Sequence, residues 1–235
     1  MIVILGDAIT LCRLHWGVFM DAGPVNKIVS SADIYWDIRR KLIAAHFSPG
    51  QKLKPEELRL NYGCAASTLR EILFRLSCDR LVDFEDHKGF RVPNVSRQLC
   101  NEAVELRILI ECEGARLSIE LGDLDWEARF TAAHHKLAHV EQRFQLQQDD
   151  PDLFEIWCAC EWEFHETLIS KCGSSLLRDQ HRDIYDLHRL HMLALSEGSG
   201  FKEGNIYDHK SILEAAIARD YPLCKKHISG HLQYV

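Results

Sequence analysis

The chain has 235 residues, enough for one large or two small domains with cores of their own, and 46% of them are apolar. No low-complexity tract or internal repeat stands out, which excludes the fibrous and disordered classes. A net charge of −7 argues against a uniformly basic nucleic-acid binder, yet residues 26–97 hold 13 Lys/Arg against 9 Asp/Glu while residues 98–235 hold 14 against 24.

The first 20 residues are apolar but interrupted by Asp7, Arg13 and His15, and they show neither a basic leader nor a small-residue cleavage site. A spanning helix or secretory signal is therefore not predicted. We read residues 1–25 as a poorly ordered tail, residues 26–95 as one domain and residues 96–235 as a second. The nine cysteines form no CxxC pair, and Cys158-x-Cys160 alone is no zinc ribbon. Reduced, mostly buried thiols in a cytoplasmic protein are expected.

Ala32–Phe47 is predicted as a helix with Ile34, Ile38 and Leu42 on one face, stopped by the Ser48-Pro49-Gly50 turn. In the next helix Pro55 suits the first position, Glu56 and Glu57 suit its positive end, and Gly63 suits its C-cap. A further helix follows at once, with Leu69, Ile72, Leu73 and Leu76 on its apolar face and Thr68 and Glu71 at capping-box spacing. Strands are predicted at 81–84 and 90–92, around the turn Asp86-His87-Lys88-Gly89. That order of elements is a winged helix-turn-helix, which lays one helix in the DNA major groove. After the connector Pro93–Ser96, helices are predicted at 98–121, 124–147, 152–171, 175–196, 207–219 and 221–233, and no stretch has strand period. The fold class is thus mainly α, a winged reader followed by an antiparallel helical bundle able to bury a ligand among facing side chains.

The stretch PGQKL, EEL, the glycine of NYG, STLRE-IL-RL, LV and HKGFRV resembles the DNA-binding domain of GntR-family bacterial regulators. Behind it, Arg107 with Glu111, Phe164-His165, Asp208-His209 and His231-Leu232 are similar to the FadR-type (FCD) branch. The resemblance covers about residues 26–233 and implies a dimer that binds a palindromic double-stranded operator. One departure is Ala65-Ala66, where family members usually carry Ser-Arg.

At the reader, Arg70 matches the family arginine and can fork onto guanine or clamp a phosphate. Ser67 and Thr68 can donate to phosphates at the same helix end, and Lys88, Arg39 and Arg40 to the backbone or minor groove. In the bundle, Glu161 and His165 share one helix face at i, i+4, and His209 and His231 follow on later helices. Three imidazoles and a carboxylate suit Zn²⁺, Ni²⁺ or a similar divalent ion, and the set resembles the Asp-x-x-x-His, His, His pattern of metal-binding FCD domains, with Glu161 replacing Asp. Any one of 13 histidines is more often a satisfied or solvated side chain; it is the joint spacing that favours ligation. His227 is a competing ligand, and Asp208 could orient His209. Arg107, and after it Arg189, are candidate receptors for a small carboxylate effector; for Arg107 the alternative is a salt bridge with Glu111. The other function class is a metal-dependent hydrolase, against which Ile169 stands where an HExxH motif needs its second histidine.

Overall fold

The computed structural model describes residues 30–146, 151–195 and 205–233, so the tail assigned to residues 1–25 lies outside the described residues. The reader is built from α1 (Ser31–Ile43), β1 (Lys52–Leu53), α2 (Pro55–Tyr62), α3 (Ala66–Cys78), β2 (Asp83–Glu85) and β3 (Gly89–Arg91). The bundle follows as α4 (Arg97–Leu121), α5 (Leu124–Leu146), α6 (Pro151–Leu168), α7 (Ser175–Leu195), α8 (Asn205–Ile217) and α9 (Tyr221–Gln233).

Ser30 starts α1 with a capping box: its hydroxyl accepts from the Asp33 amide, and the Asp33 carboxylate accepts from the Ser30 amide. The helix ends at Ile43 rather than Phe47, because Ala45 adopts a left-handed φ of 56° that no helix continues through. Pro55 opens α2, and Gly63 closes it at φ 62°, donating its amide to the Arg59 carbonyl. The predicted capping box at Thr68 and Glu71 is absent: the N-cap of α3 is Ala65, which has no side-chain acceptor to offer. Between α2 and α3 the chain makes the tight turn of a helix-turn-helix.

The wing is shorter than predicted on one side, because Leu81 and Val82 turn into the core and leave Asp83–Glu85 as β2. The sheet order is β1-β3-β2, antiparallel throughout, with Leu53 opposite Phe90 and Phe84 opposite Phe90. Strand β1 had no sequence signal, since two residues cannot show alternation. Ile34, Ile38 and Leu42 of α1 pack on Leu69, Ile72, Leu73 and Leu76 of α3, each worth about 1.5–3 kcal/mol of apolar burial. Leu190, from α7 of the bundle, is part of the same core. Reader and bundle therefore share apolar contacts.

Ser96 caps α4 through the Leu99 amide. Helix α4 lies between α7 and α9, while α5 packs on α6 and α8. The bundle core holds an aromatic row of Trp126, Phe130 and Phe164, and the Trp126 indole donates to the Thr167 carbonyl at 2.9 Å. Helix α6 stops at Leu168, three residues short of its predicted end, and α8 at Ile217, where Arg219 is left-handed at φ 59°.

Candidate functional site

The outer end of α3 presents the reader's chemistry. Ala65 and Ala66 leave the first-turn amides without a side-chain cap, so the positive helix end faces outward beside Ser67, which is exposed, and Thr68, which is half-buried. Arg70 is exposed and forms no ion pair among the described residues. Lys88 is exposed on the wing and lies 2.5 Å from Glu85. Arg40 is partly buried and bonded to Asp37, which also holds Lys41 and the Tyr62 hydroxyl.

Arg39 requires a correction. It is only 5% exposed, and its Nε donates to Asp186 on α7. A buried guanidinium needs carboxylates, and the bundle supplies them.

Three histidines converge in the bundle. His165 on α6, His209 on α8 and His231 on α9 bring ligand atoms within 4.8 Å of one another. Two of them have a carboxyl group hydrogen-bonded at Nδ1, Glu111 at 2.5 Å from His165 and Glu141 at 2.9 Å from His209, while Asp208 only approaches His231 Nδ1 at 3.5 Å. Burial pushes the Glu141 carboxyl up to about 8. At His165, an Nδ1–H donated to the Glu111 carboxylate leaves the lone pair on Nε2, toward the centre. Nε2 of His165 and of His209 are buried without a partner among the described residues. Burial pushes His165 down to about 3 and His209 well below its usual value, so both rings are neutral, the form a metal binds. Nitrogen donors at this spacing fit a borderline divalent ion such as Zn²⁺.

Glu161 stands beside this trio and outside it. Its Oε2 accepts from the Tyr185 hydroxyl at 2.6 Å and from Arg189 at 2.7 Å, and its Oε1 lies 3.8 Å from His165 Nε2. Burial favours its neutral form, but the charges of Arg189 and Arg107, with the Tyr185 hydrogen bond, outweigh that and hold its carboxyl well below the usual range. Arg189 is therefore already paired. Its second nitrogen lies 2.9 Å from the Cys158 sulfur, and the guanidinium sits 4.5 Å from the Trp157 ring centre.

Arg107 does form the salt bridge with Glu111, Nε to Oε2 at 3.1 Å, and Nη1 lies 3.1 Å from His188 Nδ1. Its Nη2 is buried and unpartnered among the described residues. Because a guanidinium only donates, His188 accepts at Nδ1 and carries its proton on Nε2, which is also unpartnered. His181 Nε2 donates to Glu111 at 3.0 Å, leaving Nδ1 bare. Among the described residues, the cluster around Arg107 thus retains two spare donors and one spare acceptor. Asp208, expected to orient His209, approaches His231 instead, and Glu141 orients His209.

Sequence reasoning missed Glu141, His181, Tyr185 and His188. Their signal was available: Glu141 lies on the apolar stripe of Leu137 and Phe144, and His181, Tyr185 and His188 follow i, i+4, i+7 on one side of α7. A polar residue on a core face calls for a buried partner.

Comparison with known proteins matches residues 30–92 to "Bacterial regulatory proteins, gntR family" and residues 102–234 to "FCD domain". The chain belongs to the GntR family. This GntR-family regulator, of the FCD branch, is 28% identical over 222 residues to the uncharacterized HTH-type transcriptional regulator BphR of Paraburkholderia xenovorans, covering 92% of this chain and 88% of that protein. It is 26% identical over 208 residues to the HTH-type transcriptional repressor GlaR of Escherichia coli K12, covering 87% and 93%. Among solved structures, E. coli McbR/YncC shares the fold at a TM-score of 0.74 and 18% identity, covering 87% of this chain and 93% of that one. A putative GntR regulator from Rhodococcus sp. RHA1 gives 0.70 at 20% identity, covering 87% and 94%. The GntR-family chain is a transcription regulator and not an enzyme, which removes the hydrolase alternative. Among the described residues no helix is long and apolar enough to cross a membrane.

Proposed function

We propose that this regulator binds a palindromic operator as a homodimer and responds to a small carboxylate held beside a divalent metal in its bundle. The observation that carries the reading is the convergence of His165, His209 and His231, the first two with Glu111 and Glu141 hydrogen-bonded at Nδ1. A bound Zn²⁺ or Ni²⁺ would supply a positive charge and open coordination positions beside the pocket. The spare Nη2 of Arg107 and the Nε2–H of His188 would take the effector carboxylate. Arg189 supports the site by fixing Glu161 and is not free to receive the effector itself. Leu106 and Leu109, exposed together on α4, offer an apolar strip for the second protomer. At the output end, Arg70 would reach a guanine edge or phosphate, Ser67, Thr68 and the open end of α3 would hold phosphates, and Lys88 and Arg40 would add charge.

Native mass spectrometry with elemental analysis, after zinc saturation and desalting, should show a dimer with one metal per protomer. Metal-free protein would sink the histidine assignment, and a strict monomer the operator model. Gel retardation on operator DNA selected from a random library should be abolished by Arg70→Ala with circular dichroism unchanged. Undiminished binding would remove Arg70 from the reader.

A further inference from the structure

Helix α7 has two working faces. On one, His181, Tyr185, His188 and Arg189 hold the buried polar cluster: His181 touches Glu111, Tyr185 and Arg189 hold Glu161, and His188 holds Arg107. On the other, Asp183, Asp186 and Leu190 meet the reader, Leu190 within the reader's core and both aspartates on Arg39 of α1. Arg39 donates Nε to Asp186, Nη2 to Asp183 at 3.4 Å and Nη1 to the Tyr35 hydroxyl at 2.8 Å. The Tyr35 hydroxyl donates onward to Asp79, the C-cap of the recognition helix α3, and Arg75 in the last turn of that helix lies 4.6 Å from the Tyr35 ring centre. A second strut runs alongside: Arg182 of α7 lies 5.7 Å from the Trp36 ring and 5.5 Å from the Trp162 ring.

From this geometry we infer that Arg39 is the positioning residue that couples the buried polar cluster of the bundle to the recognition helix, through Asp183 and Asp186 on one side and Tyr35 and Asp79 on the other. A buried ion pair is a poor source of stability, because desolvating both charges offsets their attraction. It is a good source of registry, since its partners fit in few arrangements. Arg39 holds two carboxylates three residues apart on α7, so a shift or rotation of α7 changes how its donors are shared. A ligand that favours one placement of α7 must then favour one placement of α3, and the coupling runs equally in reverse.

The inference rests on the proposed metal-binding role of the bundle, and the test separates the two. Hydrogen–deuterium exchange by mass spectrometry is run on the full-length wild type, Arg39→Met and Asp186→Asn, with and without Zn²⁺. Zinc should slow exchange in α6, α8 and α9 of all three proteins. In the wild type it should also change exchange in α1 and α3 by at least about fivefold, the lower end of ordinary coupling, and this reader response should vanish in both variants. A reader response that persists in both, or a wild-type reader indifferent to zinc that protects the bundle, overturns the inference. If zinc protects nothing, the metal reading fails, and the metal-free arm decides the coupling. There Asp186→Asn, a change made in the bundle, should speed exchange in α3 by a similar factor. Unchanged α3 exchange overturns the inference whatever zinc does, and this arm stands even if Arg39→Met does not fold.

Discussion

Glu111 shows how much of the site turns on single side chains. One fully buried carboxylate accepts from Arg107, His165 and His181. Burial alone would push it toward its neutral form, but the neighbouring His165 and Arg107 hold it well below the usual carboxylate range. Glu111→Gln keeps the volume but gives His165 a weaker Nδ1 acceptor, so zinc affinity should fall about 10–100-fold, measured by competition with a chromogenic chelator. A folded Gln variant with unchanged affinity would show that Glu111 does not tune the proposed metal site. Glu111→Ala strands the Arg107 charge in the core and should cost about 3–5 kcal/mol in urea denaturation.

Among the elements, the approach of α4 to the segment behind α6 is set by Gly114. A Cβ there would lie 2.8 Å from Ile169 Cγ2 and 2.9 Å from Ile169 Cβ, atoms that cannot swing away. Alanine's helix propensity gains about 1 kcal/mol, against about 1–3 kcal/mol for overpacking. Gly114→Ala should therefore be neutral to destabilising, and Gly114→Val clearly destabilising by chemical denaturation. Gly230 on α9 is the contrast, since outside its own helix backbone and chain neighbours none of the described atoms lies within 4 Å of a Cβ there. Gly230→Ala should raise stability by about 0.4–1 kcal/mol, and a loss of stability would show that α9 packs more closely than described.

For the whole molecule, the junction between reader and bundle predicts a pH effect. Burial raises the Asp186 carboxyl from 3.8 to about 6, only partly opposed by Arg39, with Asp183 and Arg182 also facing it. The folded value lies above the unfolded one, so the folded state binds this proton more tightly and stability rises as pH falls through 6, levelling below 3.8. Between pH 7.5 and 5 the group contributes about 1.4 kcal/mol in that direction. The stability difference between wild type and Asp186→Asn should shift by that amount in favour of wild type at pH 5. A pH-independent difference would show that Asp186 titrates as an ordinary carboxylate.

Much of this molecule was legible along the chain, because its cues are local. Pro55, Gly63 and the Leu69-Ile72-Leu73-Leu76 stripe mark two short helices by backbone restriction and 3.6-residue period. The predicted helix order of the bundle likewise holds to within a few residues at the ends. His165, His209 and His231 were nominated by spacing and resemblance, but spacing says nothing about which ring nitrogen faces inward. That depends on Glu111 and Glu141, on helices distant in sequence. Arg39 marks the limit most sharply. On α1 it reads as a solvent-facing cation beside a DNA reader, and nothing within several residues indicates otherwise. Only the packing of α7 against α1, which brings Asp183 and Asp186 across more than 140 residues, turns it from a phosphate contact into a buried junction. The sequence by itself determined a winged reader on a helical bundle, since periodicity and turn chemistry act over a few residues. The tertiary structure decided which charges stay on the surface of the reader, which are buried in the bundle and which join the two, because a charge's role is set by the partners that burial brings to it.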